Sequence, residues 1–244
     1  MRRAGMIAAV AAGLVLAASA AGAQSLSLDL GDGGSISARS VQLIVLISVL
    51  SIAPGLAIMV TCFPFVVTVL SILRQAVGMQ QSPPNMLIVS LALFLTYFVM
   101  EPVFQRAWTE GVSPYVEGTL SVEEAAPKAI EPFRGFMARR VDPETFETLA
   151  ALRPDAATME RGEQAPLSVL IPSFMLSEVS RAFQIGFLVY LPFLIIDLVV
   201  SAVLMSMGMM MVPPAIVSMP FKLAFFVVAD GWSLIAGSLV RSYF

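Results

Sequence analysis

A long uncharged run constrains this chain more than any other feature of its sequence. From Val41 to Leu73 there are 33 consecutive residues without a charged side chain. A helix needs roughly 20 apolar residues to cross the hydrocarbon core of a bilayer. Pro54 and Pro64 lie within the run, and such prolines free backbone carbonyls that neighbouring helices must satisfy. The run therefore predicts a kinked or broken membrane helix that packs within an assembly.

The composition of the whole chain supports a membrane protein and excludes several classes of function. Hydrophobic residues make up 58% and charged residues 13%, whereas soluble domains carry about 25% charged residues. The net charge is only -3 and the basic residues are scattered, which argues against nucleic acid binding. With no histidine and one cysteine, Cys62, the sequence excludes internal disulfides and cysteine-based zinc sites. We expect no cofactor or metal, and we expect Cys62 to be a small buried apolar side chain.

The first 23 residues are typical of a cleavable signal peptide. Arg2 and Arg3 precede an apolar segment, and small residues at 21–23 form a cleavage pattern before Gln24. An uncleaved first membrane helix is the alternative. Residues 24–40 are rich in glycine and serine and predict a flexible polar segment that begins in the periplasm.

A first helical hairpin is predicted over residues 41–101. Arg74 ends the long uncharged run, and a polar turn from Gly78 to Pro84 precedes a second uncharged stretch, Asn85–Met100. Arg74, just before this turn, is the only charge in the loop between the two uncharged stretches, so the positive-inside rule places the loop in the cytoplasm.

Charge is concentrated in residues 102–166, with seven basic and eleven acidic side chains. Apolar residues recur there at helical spacing, and Asp142-Pro143-Glu144 is a typical helix start. We expect two or three short helices in a small domain, which two crossings from a periplasmic N-terminus would place in the periplasm.

Residues 167–244 are again apolar and predict a second hairpin, interrupted by prolines, with its turn at Ser206 to Pro214. The sequence thus predicts an all-α membrane protein. Two kinked, proline-interrupted helical hairpins flank a small helical periplasmic domain.

Ionisable side chains inside apolar segments are costly and usually face a partner or a water-filled cavity. Glu178 and Arg181 are spaced to pair on one helix face, and Asp197 and Lys222 lie equally far from the predicted turn on opposite arms. These four and Asp230 are candidates for holding helices and subunits together, with a proton relay as the alternative. An intramembrane aspartyl protease using Asp197 and Asp230 is disfavoured, because neither aspartate has the glycine-rich setting of such enzymes.

Methionines are concentrated at the second predicted turn. Five of the chain's fifteen fall between Met205 and Met211, and the candidates for a pore gasket are Met207, Met209, Met210 and Met211. Methionine is unbranched and adaptable, so a ring of such loops could close around passing chains of differing shape. Lipid contact or core filling is the alternative.

Two long motifs resemble the signatures of the FliP family of flagellar export proteins. The first is PSFMLSEVSRAFQIGF at 172–187 and the second is PFKLAFFVVADGW at 220–232. The first hairpin is also similar, in QQSPPN at 80–85 and LALFLT at 91–96. The motif residues singled out are Pro172, Phe174, Phe183, Gly186, Pro220, Phe221, Gly231 and Trp232.

The resemblance implies a subunit of the type III protein export gate in the flagellar basal body of the bacterial inner membrane. Several copies would assemble with FliQ and FliR, beside FlhB and FlhA, and unfolded flagellar proteins would pass through the centre. It also implies hairpins lifted into a dome and a methionine constriction at Met209–Met211, and no enzymatic activity. The alternatives are the equivalent subunit, SctR, of a virulence-type secretion system, a small-molecule transporter or channel, and a passive scaffold for basal-body assembly.

Overall fold

A computed structural model describes residues 36–78, 83–154, 161–209 and 211–244. The predicted signal peptide, most of the polar segment at 24–40, part of the first turn and Met210 lie outside these ranges. The chain divides into two compact units, Met1–Val49 and Leu50–Phe244. All regular structure in the described ranges is helical, which confirms the predicted all-α class.

Nine α-helices and one π-helical segment are present in the described residues. They are α1 (Ile36–Met59), α2 (Phe63–Val77), α3 (Asn85–Ala107), the π-helix (Trp108–Val112), α4 (Ser113–Val116), α5 (Val122–Arg140), α6 (Pro143–Ala150), α7 (Leu167–Ser206), α8 (Pro214–Val228) and α9 (Gly231–Arg241).

Two of the described helical stretches are long and apolar enough to span a membrane: Asn85–Val116, which begins with α3, and α7. The number rises to four if each of two bent helix pairs is one span, the second pair being α8 and α9 with a 62° bend. At 1.5 Å per residue, the 40 residues of α7 reach about 60 Å, roughly twice the hydrocarbon core. One straight crossing does not require that length.

The first hairpin consists of α2 and α3. Gly78 ends α2 in the left-handed conformation (φ 86°), and its N–H donates to the carbonyl of Gln75. Arg74 donates to the side chain of Asn85, which ties the end of α2 to the start of α3. The helix breaks within the long uncharged run at residues 60–62. The new helix, α2, begins at Phe63, so Pro64 lies in its first turn, where proline is tolerated.

The charged segment 102–166 does not form a separate compact unit, because it belongs to the unit Leu50–Phe244. α3 runs across the predicted boundary at residue 101 and ends at Ala107. α5 packs against α3, the π-helix and α7, while α6 packs against α7. Gly111 makes this packing possible, since a Cβ there would lie 2.6 Å from the Ala129 backbone nitrogen in α5.

The second hairpin joins α7 to α8 at the predicted turn. The prolines expected to interrupt it lie inside helices instead: α7 continues through Pro172 and Pro192, and α8 through Pro220. The core sits where α7 packs on α2. Its largest fully buried side chains include Phe65, Leu70, Leu73, Met100, Met137, Phe146, Leu170 and Phe174. Packing of α7 and α8 against their neighbours thus outweighs the tendency of Pro172, Pro192 and Pro220 to break these helices.

Candidate functional site

A fully buried carboxylate lies at the centre of a polar cluster within the apolar core. Glu178 on α7 is 0% exposed and accepts hydrogen bonds from Arg140 Nε (3.0 Å), Arg181 Nη1 (3.1 Å) and the hydroxyl of Tyr243. The Arg181 contact is the i, i+3 pair that the sequence predicted. A buried charge is tolerated only when it is paired and hydrogen-bonded, and this cluster meets that requirement for Glu178.

Three distant parts of the chain supply this cluster. Arg140 is the last residue of α5, Glu178 lies on α7, and Tyr243 follows α9. Arg140 also donates Nη1 to the Ser242 carbonyl at 2.9 Å, and its guanidinium lies 4.1 Å from the centre of the Tyr243 ring. A cation over an aromatic face is attracted by the ring quadrupole, so the ring also stabilises Arg140.

The ring of Tyr243 packs between two phenylalanines. It meets Phe65 of α2 edge-on at 5.6 Å and stacks on Phe136 of α5 at 6.0 Å. Two causes raise the pKa of the Tyr243 phenol above its ordinary value. Burial is the larger cause, and the negative charge of Glu178 is the second. The hydroxyl therefore keeps its proton and serves as a donor to Glu178.

A second network connects this region to the start of α6. The hydroxyl of Ser177 donates to the Ser173 carbonyl at 2.7 Å and accepts from the Asp142 N–H at 2.9 Å. Asp142 caps α6, and its carboxylate accepts from the N–H and hydroxyl of Thr145, both at 2.9 Å. These two hydrogen bonds lower the pKa of Asp142. The cap orients α6 against the same stretch of α7 that carries Glu178.

Asp197 and Lys222 form an ion pair between α7 and α8. Lys222 Nζ lies 2.6 Å from Asp197 Oδ2, and Ser218 donates its hydroxyl to Asp197 Oδ1 at 2.6 Å. The pairing follows the geometry expected from their equal distance to the turn. Only 6% of the Lys222 side chain is exposed, compared with 28% for Asp197. The two arms of the second hairpin are thereby joined by charge as well as by apolar contact.

Asp230 does not take part in either cluster. It occupies the break between α8 and α9 in the left-handed conformation (φ 47°) and accepts a hydrogen bond from the Ser233 hydroxyl at 3.1 Å. Aspartate tolerates this conformation better than most residues, because its short side chain hydrogen-bonds locally. Asp230 thus shapes the bend rather than pairing with a cation on another helix.

The methionine loop, residues Met207–Val212, joins α7 to α8. The exposed fractions are 65% for Met207, 37% for Met209 and 97% for Met211, while Met210 lies outside the described residues. Gly208 (φ 74°) donates to the Met205 carbonyl at 3.1 Å, and Met209 donates to the Leu204 carbonyl at 3.0 Å. These two bonds form the Schellman motif, which ends α7 at the start of the methionine loop.

The motif residues divide into buried and exposed positions. Phe174, Gly186 and Gly231 are buried, whereas Phe183, Phe221, Trp232, Pro172 and Pro220 are exposed. A Cβ on Gly186 would lie 2.3 Å from Ile72 Cδ1, and one on Gly231 would lie 2.2 Å from the Phe226 ring. The two glycines therefore permit close approach of neighbouring groups.

Sequence reasoning did not identify Arg140, Tyr243 or Ser218 as members of these clusters. Arg140 is a basic residue in the last turn of α5, which is the ordinary position for such a residue. Ser218 lies one turn before Lys222 on α8, and that spacing was the one available signal. Cys62 is buried, as expected. Among the described residues, no group of His, Cys, Asp and Glu side chains is arranged to hold a metal ion.

Comparison with known proteins places these features in one family. The sequence model of the FliP family matches residues 46–239. The chain is 47% identical to the flagellar biosynthetic protein FliP of Caulobacter vibrioides, an alignment covering 100% of this chain and 92% of that protein. Identity is 46% with FliP of Rhizobium meliloti (91% and 93% covered) and 45% with FliP of Bacillus subtilis (84% and 92% covered). An all-α membrane protein with both signature motifs in its second hairpin, this chain belongs to the FliP family.

Proposed function

We propose that this protein is a core subunit of the flagellar type III protein export gate in the bacterial inner membrane. Several copies assemble with FliQ and FliR, next to FlhB and FlhA in the basal body, into a pore for unfolded flagellar proteins. The observation that carries the proposal is the family match over residues 46–239, which includes both hairpins and both motifs. Relatives in three different bacteria bear the name of a flagellar biosynthetic protein, which favours the flagellar over the virulence-type system.

The methionine loop is the proposed seal of this pore. The described methionines Met207, Met209 and Met211 have exposed fractions from 37% to 97%, so they are available to neighbouring subunits. Flexible, polarizable thioethers can close against one another and repack around a passing chain without a fixed shape. Met207, Met209, Met210 and Met211 together form the gasket in this proposal.

The two charge clusters hold the framework around that seal. Asp197 and Lys222 connect the arms that carry the loop. Glu178, Arg140 and Arg181 connect α7 to α5, which lies in the segment proposed to face the periplasm. Breaking either cluster would leave a buried charge without compensation, so the clusters favour one arrangement of the helices.

Complementation tests the proposal directly. The chain is expressed in a motile bacterium from which the gene for its own FliP has been deleted, and export of hook and filament proteins is measured. We expect export to return, together with co-purification of FliQ and FliR. A chain that inserts in the membrane but neither restores export nor binds these partners would overturn the proposed function.

A further inference from the structure

Tyr243 lies two residues beyond the last helix and contacts several other elements of the fold. Its hydroxyl donates to Glu178 on α7, and its ring contacts Phe65 on α2 and Phe136 on α5. The same ring lies under the Arg140 guanidinium, and the neighbouring Ser242 carbonyl accepts from that guanidinium. One side chain therefore joins α2, α5, α7 and the segment after α9.

The electrostatics of the cluster depend on this side chain. Glu178 has no exposure to water, so each lost donor leaves the carboxylate less compensated. Arg140 Nη2 is buried without a hydrogen-bond partner, and the face of the Tyr243 ring adds a cation–π attraction to the ion pair that Arg140 makes with Glu178. Loss of the ring would weaken both members of the Arg140–Glu178 pair at once.

Helix α9 is held by apolar contacts along one face and by the segment that follows it. It has eleven residues, of which Gly231, Ile235 and Leu239 are buried. Its first end is the bend at Asp230, where the backbone leaves the helical conformation. Apolar contacts hold the buried face of α9, and Tyr243 adds polar and aromatic contacts just beyond its far end.

We propose that Tyr243 is a positioning residue that clasps α9 to Glu178 and Arg140. Through the bend at Asp230, the clasp also fixes α8, which carries Lys222 and leads to the methionine loop. The effect on export rests on the proposed gate function, whereas the clasp itself does not. The side chain acts through the helices it holds and touches no transported protein.

The chain contains its own probe for opening of the clasp. Cys62 is the single cysteine, is fully buried, and lies one helical turn before Phe65, which packs on the Tyr243 ring. Its modification rate by a membrane-permeant maleimide, in membranes containing the full chain, reports how often this part of the core opens. A detergent-denatured sample gives the rate for a fully accessible thiol.

The test compares wild type with four variants and a control. The variants are Tyr243→Phe, Tyr243→Ala, Glu178→Gln and the Tyr243→Phe/Glu178→Gln double variant. Phe244→Ala is the matched control, because Phe244 is adjacent in sequence and 79% exposed. We expect Tyr243→Ala to raise the Cys62 labelling rate roughly tenfold, since labelling follows the open population and a lost bond to a buried charge shifts it by such a factor. Tyr243→Phe keeps the ring and is expected to show a smaller rise with normal protein accumulation.

Coupling between Tyr243 and Glu178 separates the clasp from a general loss of packing. If the Tyr243 hydroxyl acts on Glu178, the double variant should raise the Cys62 labelling rate less than the combined effects of Tyr243→Phe and Glu178→Gln would predict. Export is expected to fall in Tyr243→Ala. In Tyr243→Phe it should be closer to the wild-type level, in line with the lower Cys62 labelling rate of that variant.

Three results would overturn the proposal. Unchanged labelling in Tyr243→Ala would show that the side chain does not hold the core closed. Independent effects of Tyr243→Phe and Glu178→Gln would remove the hydroxyl–carboxylate link. Raised labelling with full export would show that the clasp does not position the gate. If the wild-type chain itself fails to restore export, the proposed function is wrong, and labelling still decides whether the clasp exists.

Discussion

Lys222 on α8 donates a hydrogen bond to Asp197 on α7 over 2.6 Å, and the pair joins the two arms whose tip carries the methionine loop. Ser218 supplies a second donor to the same carboxylate. Lys222 is almost fully buried, whereas Asp197 is partly exposed, so the ammonium has little access to water apart from its bonded carboxylate. The integrity of the pair is therefore expected to affect the assembled hairpin more than a surface ion pair would.

Removing one partner of this pair is expected to be more harmful than removing both. Asp197→Leu leaves a buried ammonium without compensation, which costs about 3–5 kcal/mol for a buried pair. Adding Lys222→Met removes that charge, so the double variant should recover much of the loss. Charge reversal at both positions should likewise assemble better than reversal at either one. Native gel analysis of the assembled complex measures this, and equal defects in the single and double variants would contradict the pairing.

The contact between Gly186 and Ile72 predicts that a destabilising change at Gly186 can be compensated by a smaller side chain at Ile72. A Cβ at Gly186 would lie 2.3 Å from Ile72 Cδ1, so Gly186→Ala is expected to destabilise the α2–α7 contact by about 1–3 kcal/mol through overpacking. Ile72→Val removes the clashing methyl group and should restore part of the stability. Gly55→Ala is the control, because its Cβ would meet no atom within 4 Å. Thermal unfolding in detergent measures the stability of these variants. A Gly186→Ala variant as stable as the Gly55→Ala control would contradict the predicted clash.

Gly208 ends α7 and sets the entry into the methionine loop. Its φ of 74° is unfavourable for residues with a Cβ, while the space around it is open. Gly208→Ala is therefore expected to cost about 1 kcal/mol through the backbone alone, and Gly208→Asn less, because asparagine tolerates the left-handed conformation. Hydrogen exchange at the Met209 amide, which donates to Leu204, should become faster in the alanine variant. Identical exchange in all three proteins would show that the motif does not hold the loop.

The cap at Asp142 predicts a dependence of stability on pH. The N–H and hydroxyl of Thr145 hold the pKa of this carboxyl below its ordinary value. Its contribution to stability is therefore complete above the ordinary aspartate pKa of about 4, and it is lost as the pH falls through the lower, folded-state pKa. Asp142→Asn keeps a capping oxygen without a titrating proton. The stability gap between wild type and this variant should narrow as the medium is acidified, and a gap that stays constant or widens would contradict the assignment.

The sequence predicted the helical class, the site of the second turn and the Asp197–Lys222 pair, because each depends on local composition or on distance from one turn. It did not predict Arg140 and Tyr243 as partners of Glu178, which they meet across 38 and 65 residues of chain. No periodicity links residues so far apart. Charge also did not indicate that α5, which lies in the charged segment 102–166, packs against α3 and α7. Charge on one helix face does not prevent burial of the other face.

In the proposed function, the methionine loop seals a protein-conducting pore. The most direct measurement changes Met207, Met209, Met210 and Met211 together to alanine, with the same four positions changed to leucine as the matched control. Export of hook and filament proteins, leak of small solutes and assembly of the complex are measured in the same cells. Leucine keeps the apolar volume, so it should preserve the seal better than alanine, which removes most of that volume.

Normal assembly is expected in both variants, with increased leak or altered export in the alanine variant and a much smaller change in the leucine variant. Normal assembly with unchanged leak and unchanged export in the alanine variant would contradict the proposed seal, and the methionines would then serve only in packing.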